Sequence, residues 1–397
     1  MFEKIELAPP DAILGLTADF REDSREEKIN LSVGVYQDEH GQTPTLDCVR
    51  TAEGRLTEAA GSKSYLPMPG SPDYLEVVRE LVFGAGHEVI ASKRVAGAHT
   101  PGGTGALRVA AEFLHRNLPK ASIWASKPTW PNHPNIFQAA GISLESYPYF
   151  DQSSNSLDWD AMVEGIKQIP AGNVILLHGC CHNPTGIDPT AEQWESIADL
   201  VYQRGLVPLL DFAYQGFADG IESDAAGLRT FLRHGGDLMV CSSFSKNFGL
   251  YRERVGALSV VCPTESATKA VQSQINKVIR ANYSNPPAHG AAIVNCVLRD
   301  SALRKTWEQE VATMRDRING MRQSLVDALA AKGVAGDYSF ITQQRGMFSF
   351  TGLTKQQVDT IREQHAIYIV GSGRINVAGL TPSNVERVAD AIGSVVG

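Results

Sequence analysis

A lysine that follows an apolar run has surroundings typical of a reactive amine. In Cys241-Ser-Ser-Phe-Ser-Lys246 this lysine comes directly after the predicted strand Leu238–Phe244. At the carboxyl end of a strand, beside the crevice of an α/β sheet, a lysine amine is partly desolvated, so its pKa falls and it becomes nucleophilic toward a carbonyl carbon. The pattern predicts Schiff-base chemistry, although a lone loop lysine is more often a solvated charge.

A carboxylate ends a second apolar run, Leu206–Asp211. A charge at the end of a buried strand needs a cationic partner, and a protonated ring nitrogen of a cofactor would serve. The alternative is that Asp211 caps a helix. Tyr214, three residues later, is placed either to hydrogen-bond a ring oxygen or to pack in the core.

Glycines open a predicted helix that continues to Asn117. The stretch Gly102-Gly-Thr-Gly105 would let backbone N–H groups close on an anion, unless it is only a tight turn. Arg252 and Arg254, shortly after Lys246, would suit a phosphate held beside the lysine. The glycine spacing matches neither a Walker nucleotide loop nor a dinucleotide-binding fingerprint, which disfavours both sites.

A third apolar run, Val174–His178, leads into Cys180-Cys181-His182-Asn183-Pro184. Adjacent cysteines lack the spacing of zinc ligands, so we predict no metal here. A cis Asn183–Pro184 bond would aim Asn183 into the crevice, although trans is the common form. Trp130 follows another such strand and would either stack on a ligand or belong to the core.

Two arginines lie in sharply defined Gly/Pro contexts. Arg280 precedes Asn285-Pro-Pro, and Arg374 follows Gly-Ser-Gly373. A guanidinium grips a carboxylate with two parallel hydrogen bonds, so the pair would suit a dicarboxylic acid. Either arginine alone would more commonly be a surface or structural residue.

The elements that position these residues alternate between strand-like and helix-like patterns. The predicted strands are Ser122–Ala125, Ser143–Pro148, Val174–His178, Leu206–Asp211 and Leu238–Phe244. Regular alternation predicts an α/β fold with a mostly parallel central sheet and helices on both faces. A capping box at Thr190 and Gln193, and Thr381 before Pro382, mark two helix starts.

The pattern changes near residue 300. One long amphipathic helix is predicted over 300–332, ending at Lys332-Gly333, followed by an alternating strand Ser339–Phe350, a helix from Thr354, a strand Ala366–Val370 and a C-terminal helix. We therefore predict a small α+β domain at 301–397, a large domain at 46–300, and an N-terminal segment 1–45 that joins the small domain. The charge run Asp19–Lys28 is interpreted as a solvated helix face.

Composition limits the function classes. The 397 residues carry a net charge of −8, which argues against a nucleic-acid surface or a polybasic membrane patch. No apolar run approaches the ~18 residues of a spanning helix, and the six cysteines show no regular spacing. These features predict a cytoplasmic protein with reduced thiols.

Taken in order, these motifs resemble those of the class I aspartate aminotransferases and their aromatic-amino-acid branch, which are fold-type I pyridoxal-phosphate enzymes. The resemblance spans nearly the whole chain and rests on seven segments: Asp11–Leu16, Val33–Tyr36, Thr100–Arg108, Cys180–Pro189, Asp211–Phe217, Ser245–Tyr251 and Gly373–Gly379.

The resemblance implies a role for each matching residue. Lys246 would form the Schiff base with pyridoxal 5'-phosphate and move the proton at the substrate Cα, while Asp211 would keep the pyridine nitrogen protonated. Tyr214 and Asn183 would bond the ring hydroxyl. The remaining cofactor contacts would be Gly103, Thr104, Ser243, Ser245 and Arg254 at the phosphate, Trp130 on the ring, and Tyr65 from a neighbouring subunit.

The resemblance also implies how substrate is bound. Arg374 would clamp the α-carboxylate, Arg280 of a partner subunit the distal carboxylate, and Gly34 would lie near the substrate. The implied reaction is ping-pong transfer from an amino acid to a 2-oxo acid in a homodimer with shared sites.

The substrate pocket has mixed features. Val35, Thr43, Thr104 and Asn285 resemble the aspartate branch, and Ser64-Tyr-Leu-Pro-Met68 resembles the aromatic branch. We therefore expect aspartate activity with appreciable activity on aromatic amino acids. The alternatives are a mainly aromatic aminotransferase, another pyridoxal-phosphate reaction such as decarboxylation, and a non-catalytic cofactor-binding regulatory module.

Overall fold

A seven-stranded sheet forms the centre of the fold. In the computed structural model, which describes residues 1–8 and 13–396, the strands follow one another across the sheet in the order β2 (Val95–Pro101), β10 (Val255–Val261), β9 (Leu238–Ser243), β8 (Val207–Phe212), β7 (Val174–His178), β3 (Ile123–Lys127) and β4 (Leu144–Pro148). Strand β10 pairs antiparallel with both of its neighbours, β2 and β9, and the other four strand pairs of this sheet are parallel. Asp11 and Ala12 of the Asp11–Leu16 motif lie outside the described residues. The mostly parallel sheet predicted from the βα alternation is confirmed.

Within the described residues, the strands are β1 Ile29–Asn30, β2 Val95–Pro101, β3 Ile123–Lys127, β4 Leu144–Pro148, β5 Phe150–Asp151, β6 Ser156–Leu157, β7 Val174–His178, β8 Val207–Phe212, β9 Leu238–Ser243, β10 Val255–Val261, β11 Phe348–Phe350, β12 Ile367–Tyr368 and β13 Arg374–Asn376. The α-helices of the same residues are α1 Leu14–Glu22, α2 Asp47–Glu58, α3 Pro72–Phe83, α4 Glu88–Ala91, α5 Gly102–Asn117, α6 His133–Ala139, α7 Trp159–Gln168, α8 Ala191–Gln203, α9 Ala226–Thr230, α10 Glu265–Asn282, α11 His289–Arg299, α12 Ser301–Ala331, α13 Phe340–Gln343, α14 Lys355–His365 and α15 Val385–Val396.

Apolar side chains cover both faces of the sheet. One buried cluster includes residues of α5, α6 and α10, and the other includes residues of α2, α3, α7, α8 and α11. All five residues of β7 are buried, as expected for a strand covered on both faces. The strand ends that carry functional side chains are therefore held by the most deeply packed part of the molecule.

The small C-terminal unit is organised by the 31-residue helix α12. Its predicted apolar stripe is buried, and Gly333 follows the helix with φ of +64°, as predicted for a glycine stop. Strand β1 pairs with β12 and β11 pairs with β13, so residues from the N-terminal segment pack with the C-terminal unit. The capping boxes at Thr190 and Thr354 are both formed.

Several sequence predictions in the terminal regions are wrong. The stretch Ser339–Phe350 contains a helical turn, α13, and only its last three residues form a strand. Asp337 accepts the Ser339 N–H at 2.8 Å, and the Ser339 carbonyl accepts from Thr342, so local hydrogen bonds outweigh the alternating pattern.

Three other boundaries also differ. The last helix begins at Val385 rather than at Pro382, because the Asn384 side chain accepts the Thr381 N–H at 2.8 Å and closes a turn first. The strand predicted at Ala366–Val370 is limited to β12. The helix predicted to carry the charge run Asp19–Lys28 ends at Glu22, since Lys28 Nζ instead donates to the carbonyls of Phe20 and Asp23.

Candidate active site

The carboxyl ends of β7 and β8 bring a carboxylate and histidines together. His178 and Asp211 are register partners on these strands, and Asp211 Oδ2 lies 3.1 Å from Nε2 of His133. Burial by itself raises the pKa of Asp211, but the hydrogen bond with His133 and the charge of Lys246 outweigh it, so the pKa lies below its usual value. Asp211 is therefore a carboxylate at neutral pH, available to a cationic partner.

The predicted reactive lysine lies in the same crevice. Lys246 follows the end of β9, and its Nζ is 4.9 Å from the centre of the Tyr214 ring. Desolvation lowers the pKa of Lys246 to about 8; Asp211 opposes this shift, and the charges of Arg254 and Arg374 add to it. About a tenth of the amine is therefore neutral and nucleophilic at pH 7, far more than for a solvated lysine.

One end of the crevice is lined by hydrogen-bond donors. Helix α5 begins at Gly102 without a side-chain cap, so its first N–H groups face the crevice unpaired by a capping residue. Arg254 approaches this turn so closely that a Cβ on Gly102 would lie 2.5 Å from its Nη2, which only glycine avoids. Arg254 Nη1 also lies 3.4 Å from Ser245 Oγ, and Ser243 Oγ lies 3.2 Å from Ser245 Oγ.

The other end of the crevice holds a buried guanidinium. Arg374, in β13, is 2% exposed and donates to Asn183 Oδ1 at 3.4 Å and to the Ser32 carbonyl. Its Cζ lies 4.1 Å above the Phe348 ring, and its Nε is buried with no hydrogen-bond partner among residues 1–8 and 13–396. Burial lowers the pKa of Arg374 to about 10, so it stays charged at neutral pH. The Asn183–Pro184 bond that aims Asn183 here is cis.

The predicted site residues lie together with two exceptions. A cavity of about 220 Å³ is lined by eleven of them: Gly34, Gly103, Thr104, Trp130, Asn183, Asp211, Tyr214, Ser243, Ser245, Lys246 and Arg254. An adjoining cavity of about 310 Å³ adds Arg374 and shares Lys246 and Asn183. Tyr65 and Arg280 line neither cavity.

Sequence reasoning missed several residues of this site. Phe348 and Tyr251 line the two cavities, and His133 holds Asp211. His133 follows β3 at the same sheet edge as Asp211, a signal that strand order would have revealed. Phe348 gives no local signal, since only the pairing of β11 with β13 brings it to Arg374.

The donor set fits pyridoxal phosphate. Serine hydroxyls, a guanidinium and an uncapped helix N-terminus are donors suited to a phosphate dianion. Asp211 is an ionised acceptor suited to a protonated ring nitrogen, and Lys246 lies in the same cavity with a lowered pKa. No residue of the set has the wrong charge for its expected contact.

The adjacent cysteines lie near a carboxylate. Cys180, Cys181 and Asp224 place one potential ligand atom each within 4.8 Å of one another. However, the Asp224 oxygens already accept four backbone N–H groups, from Gly216, Ala218, Asp219 and Gly220. The carboxylate would have to give up these bonds to bind a metal, so the absence of a metal stays our prediction.

Over residues 1–8 and 13–396, no helix combines the length and the apolar character needed to cross a bilayer.

Comparison with known proteins adds independent information. A family model described as aminotransferase class I and II matches residues 26–392. The chain is 52% identical over 396 residues to an aspartate aminotransferase of Escherichia coli (strain K12), covering 100% of both chains. It is 47% identical over 394 residues to an aromatic-amino-acid aminotransferase of Pseudomonas aeruginosa, covering 99% of this chain and 98% of that one.

A solved structure is similar over the same extent. It is an aromatic-amino-acid aminotransferase from Burkholderia pseudomallei covalently bound to pyridoxal phosphate, with a TM-score of 0.97, 47% identity and 100% coverage of both chains.

Proposed function

The chain belongs to the class I and II aminotransferase family, and from this premise we propose that it transfers the amino group of L-aspartate to a 2-oxo acid such as 2-oxoglutarate. The reaction proceeds in two half-reactions, ping-pong fashion, at the cavity that contains Lys246. The single observation that carries the proposal is that the predicted cofactor-binding and substrate-binding residues, Tyr65 and Arg280 excepted, line two adjoining cavities.

The cofactor is pyridoxal phosphate, which when bound supplies an electron-withdrawing protonated ring and a carbon that carries the amino group between substrates. Asp211 holds the proton on the ring nitrogen, since its own pKa is low. Tyr214 and Asn183 bond the ring hydroxyl, and Trp130 packs on the ring. The phosphate is held by Gly103, Thr104, Ser243, Ser245 and Arg254.

Lys246 would take the proton from the substrate Cα and pass it to the cofactor carbon that carries the amino group, and in the opposite half-reaction it would move a proton from that carbon back to Cα. A base works best when its pKa lies near the working pH, and desolvation brings the pKa of Lys246 to about 8. Its position in both cavities gives the amine access to the cofactor side and to the substrate side.

Arg374 binds the α-carboxylate of the substrate. Its buried Nε has no partner in the described part of the chain, and a carboxylate would supply the missing acceptor. Gly34 lies beside it and leaves room for the substrate.

The distal carboxylate is bound by Arg280 of a second copy, and the enzyme is a homodimer. Arg280 is exposed and donates to Ser284 of its own chain, while Tyr65 is 90% exposed. Both lie on one surface, because Asn285 Nδ2 donates to the Leu66 carbonyl at 3.2 Å. Apposition of two such surfaces would bring Arg280 and Tyr65 of each copy to the other's cavity.

The domain bounds, the cellular location and the expected lack of nucleic-acid and membrane partners belong to the same proposal. The large domain comprises 46–300, and the small one is built from 1–45 and 301–397, which is supported by the pairing of β1 with β12. The enzyme is cytoplasmic and acts without nucleic acid or membrane, a placement supported by six free cysteines.

A second candidate is a mainly aromatic aminotransferase. It is favoured by the exposed setting of Arg280, whose one hydrogen bond among the described residues, to Ser284, would let the arginine swing away from an uncharged substrate. The Ser64–Met68 segment, which resembles the aromatic branch, adjoins this arginine through the Asn285 contact.

The test is a single half-reaction of the purified holoenzyme. Adding aspartate alone should abolish the visible absorption band of the bound cofactor and release one equivalent of oxaloacetate per site. A band that persists with aspartate and with phenylalanine would contradict an aminotransferase. The ratio of kcat/KM for aspartate to that for phenylalanine then decides between the two candidates.

A further inference from the structure

One buried arginine of α12, Arg322, is not among the site residues that the family resemblance implies. Arg322 is 1% exposed, and no carboxylate of the described chain lies within ion-pair distance of it. Desolvation lowers its pKa to about 10, so the guanidinium is charged at neutral pH. A buried charge of this kind is costly unless each N–H has an acceptor, so its hydrogen bonds indicate what the residue is for.

The acceptors of Arg322 lie mainly in one short segment. Its Nη2 donates to the carbonyls of Gly346 and Phe348, the latter at 3.1 Å, and its Nε donates to Ser349 Oγ at 3.2 Å. The remaining bond, from Nη1 to Asn319 Oδ1 at 2.8 Å, stays within α12. The guanidinium thus fixes the backbone of residues 346–349 against the helix.

That segment carries a ring that contacts the substrate arginine. Phe348 lies under Arg374, with the guanidinium carbon 4.1 Å from the ring centre, and meets Tyr214 edge to face at 6.0 Å. On another side the ring is so close to Gly34 that a Cβ there would lie 2.5 Å from Cζ of Phe348. Phe348 is therefore confined on three sides, and its backbone position decides where the Arg374 guanidinium can rest.

We propose that Arg322 is a positioning residue for substrate binding, which acts through Phe348 on the Arg374 guanidinium. The proposal rests on the proposed function, in which Arg374 binds the α-carboxylate. Arg322 fixes the carbonyl of Phe348, the ring of Phe348 supports Arg374, and Asn183 and Ser32 orient the guanidinium from its edges.

The chemistry of the guanidinium explains why another side chain would not serve. Its planar fork reaches two carbonyls and a hydroxyl on one segment at once, whereas a lysine ammonium is a point charge on a flexible stem. A methionine would leave the Gly346 and Phe348 carbonyls without these donors. The expected order of substrate affinity is therefore Arg322, then lysine, then methionine.

The test measures binding rather than turnover. Succinate carries two carboxylates and no amino group, so its Kd for the holoenzyme reports the carboxylate contacts without reaction. We expect Arg322→Met to raise this Kd about tenfold and Arg322→Lys about threefold, typical sizes for residues that act through a neighbour. KM for aspartate should rise by similar factors, with kcat changed less.

A double-mutant cycle tests whether Arg322 acts on substrate binding through Phe348. Phe348→Leu should also weaken the binding of succinate. Adding Arg322→Met to this variant should weaken binding little further, because both changes remove the support that Phe348 gives to Arg374. Full additivity of the two effects would overturn the proposal. An unchanged succinate Kd in Arg322→Met would overturn it as well.

A matched control separates positioning from general stabilisation. Arg229 also donates to backbone carbonyls, those of Leu81 and Val82, but it lines neither active-site cavity. Arg229→Met should lower the melting temperature and leave the succinate Kd unchanged. If Arg322→Met fails to fold, Arg322→Lys and the Phe348→Leu cycle with it give the same decision. A wild-type enzyme inactive on aspartate would instead contradict the proposed function itself.

Discussion

The two arginines assigned to substrate carboxylates have opposite surroundings. Arg374 is 2% exposed, bonded to Asn183 and Ser32, and packed on Phe348. Arg280 is exposed at the end of α10 and donates to its own neighbour Ser284. The first arginine is held by three segments of one chain, whereas the second makes one side-chain hydrogen bond, to Ser284, within the part of the chain that the structure describes.

Under the proposed function, this difference indicates which part of the active site one chain can complete. The end that we propose for the α-carboxylate is pre-organised, because the Arg374 guanidinium is already fixed by its neighbours. The distal end is open, and we propose that a second copy completes it. A fixed arginine suits the group that every amino acid shares, whereas a movable one suits the group that varies.

The largest expected effect comes from the residue between the two ends. Lys246→Ala removes both the nucleophilic amine and the base, so kcat/KM should fall by roughly 10³-fold or more. The loss should be equal for aspartate and phenylalanine, since neither carboxylate contact is touched. Steady-state assays with both substrates, with circular dichroism to show an intact fold, would check this. Unequal losses would show that Lys246 takes part in substrate choice.

Arg374→Lys should have the second-largest effect on activity. It keeps the charge and removes the two-pronged grip, so kcat/KM should fall about 10²-fold. Because every substrate has an α-carboxylate, aspartate and phenylalanine should suffer alike. A loss confined to aspartate would reverse the assignment of the two ends.

Arg280→Ala should lower kcat/KM for aspartate much more than kcat/KM for phenylalanine. We expect kcat/KM for aspartate to fall about 30-fold, which corresponds to ~2 kcal/mol of a lost charge-assisted contact. The value for phenylalanine should change less than about threefold, because it has no distal carboxylate. Equal losses for both substrates would mean that Arg280 supports the fold of the site instead.

The smallest effect concerns pH. Desolvation lowers the pKa of Lys246 to about 8, and only the neutral amine attacks a carbonyl. The rate at which cofactor-free protein captures pyridoxal phosphate should therefore rise about tenfold per pH unit below 8 and level off above it. Stopped-flow absorbance between pH 6 and 10 would measure the rate. A rate still rising at pH 10 would indicate a solvated lysine and an open site.

The residues predicted from sequence belong largely to the pre-organised part of the site. The strand Val174–His178 has the predicted bounds, Asp211 lies near the end of the buried strand β8, and Lys246 follows the buried strand β9, as expected. Those positions are predictable because a buried parallel strand is an apolar run with a local signature, and its carboxyl end faces the crevice. The family resemblance supplied Tyr65 and the roles of the remaining residues.

The sequence patterns do not predict contacts between residues that are distant in the sequence. Phe348 meets Arg374 only because β11 pairs with β13, and Ser339–Phe350 was wrongly predicted as one strand since its local hydrogen bonds form a helical turn. The contact between His133 and Asp211 depends on the order of the strands in the sheet, because the two residues are far apart in the sequence. Arg322 carries no local signal either, because two of its acceptors are backbone carbonyls, which any residue possesses, of a segment distant in the sequence.

A mixed-dimer experiment tests most directly the claim that one chain completes only one end of the site. Lys246→Ala and Arg280→Ala homodimers, each poorly active on aspartate, would be mixed and allowed to exchange subunits. In a mixed dimer one site combines an intact Lys246 with an intact Arg280 from the other chain. Random exchange should then restore about a quarter of wild-type aspartate activity. Activity that stays at the level of the separate variants, after exchange has been verified, would contradict the account.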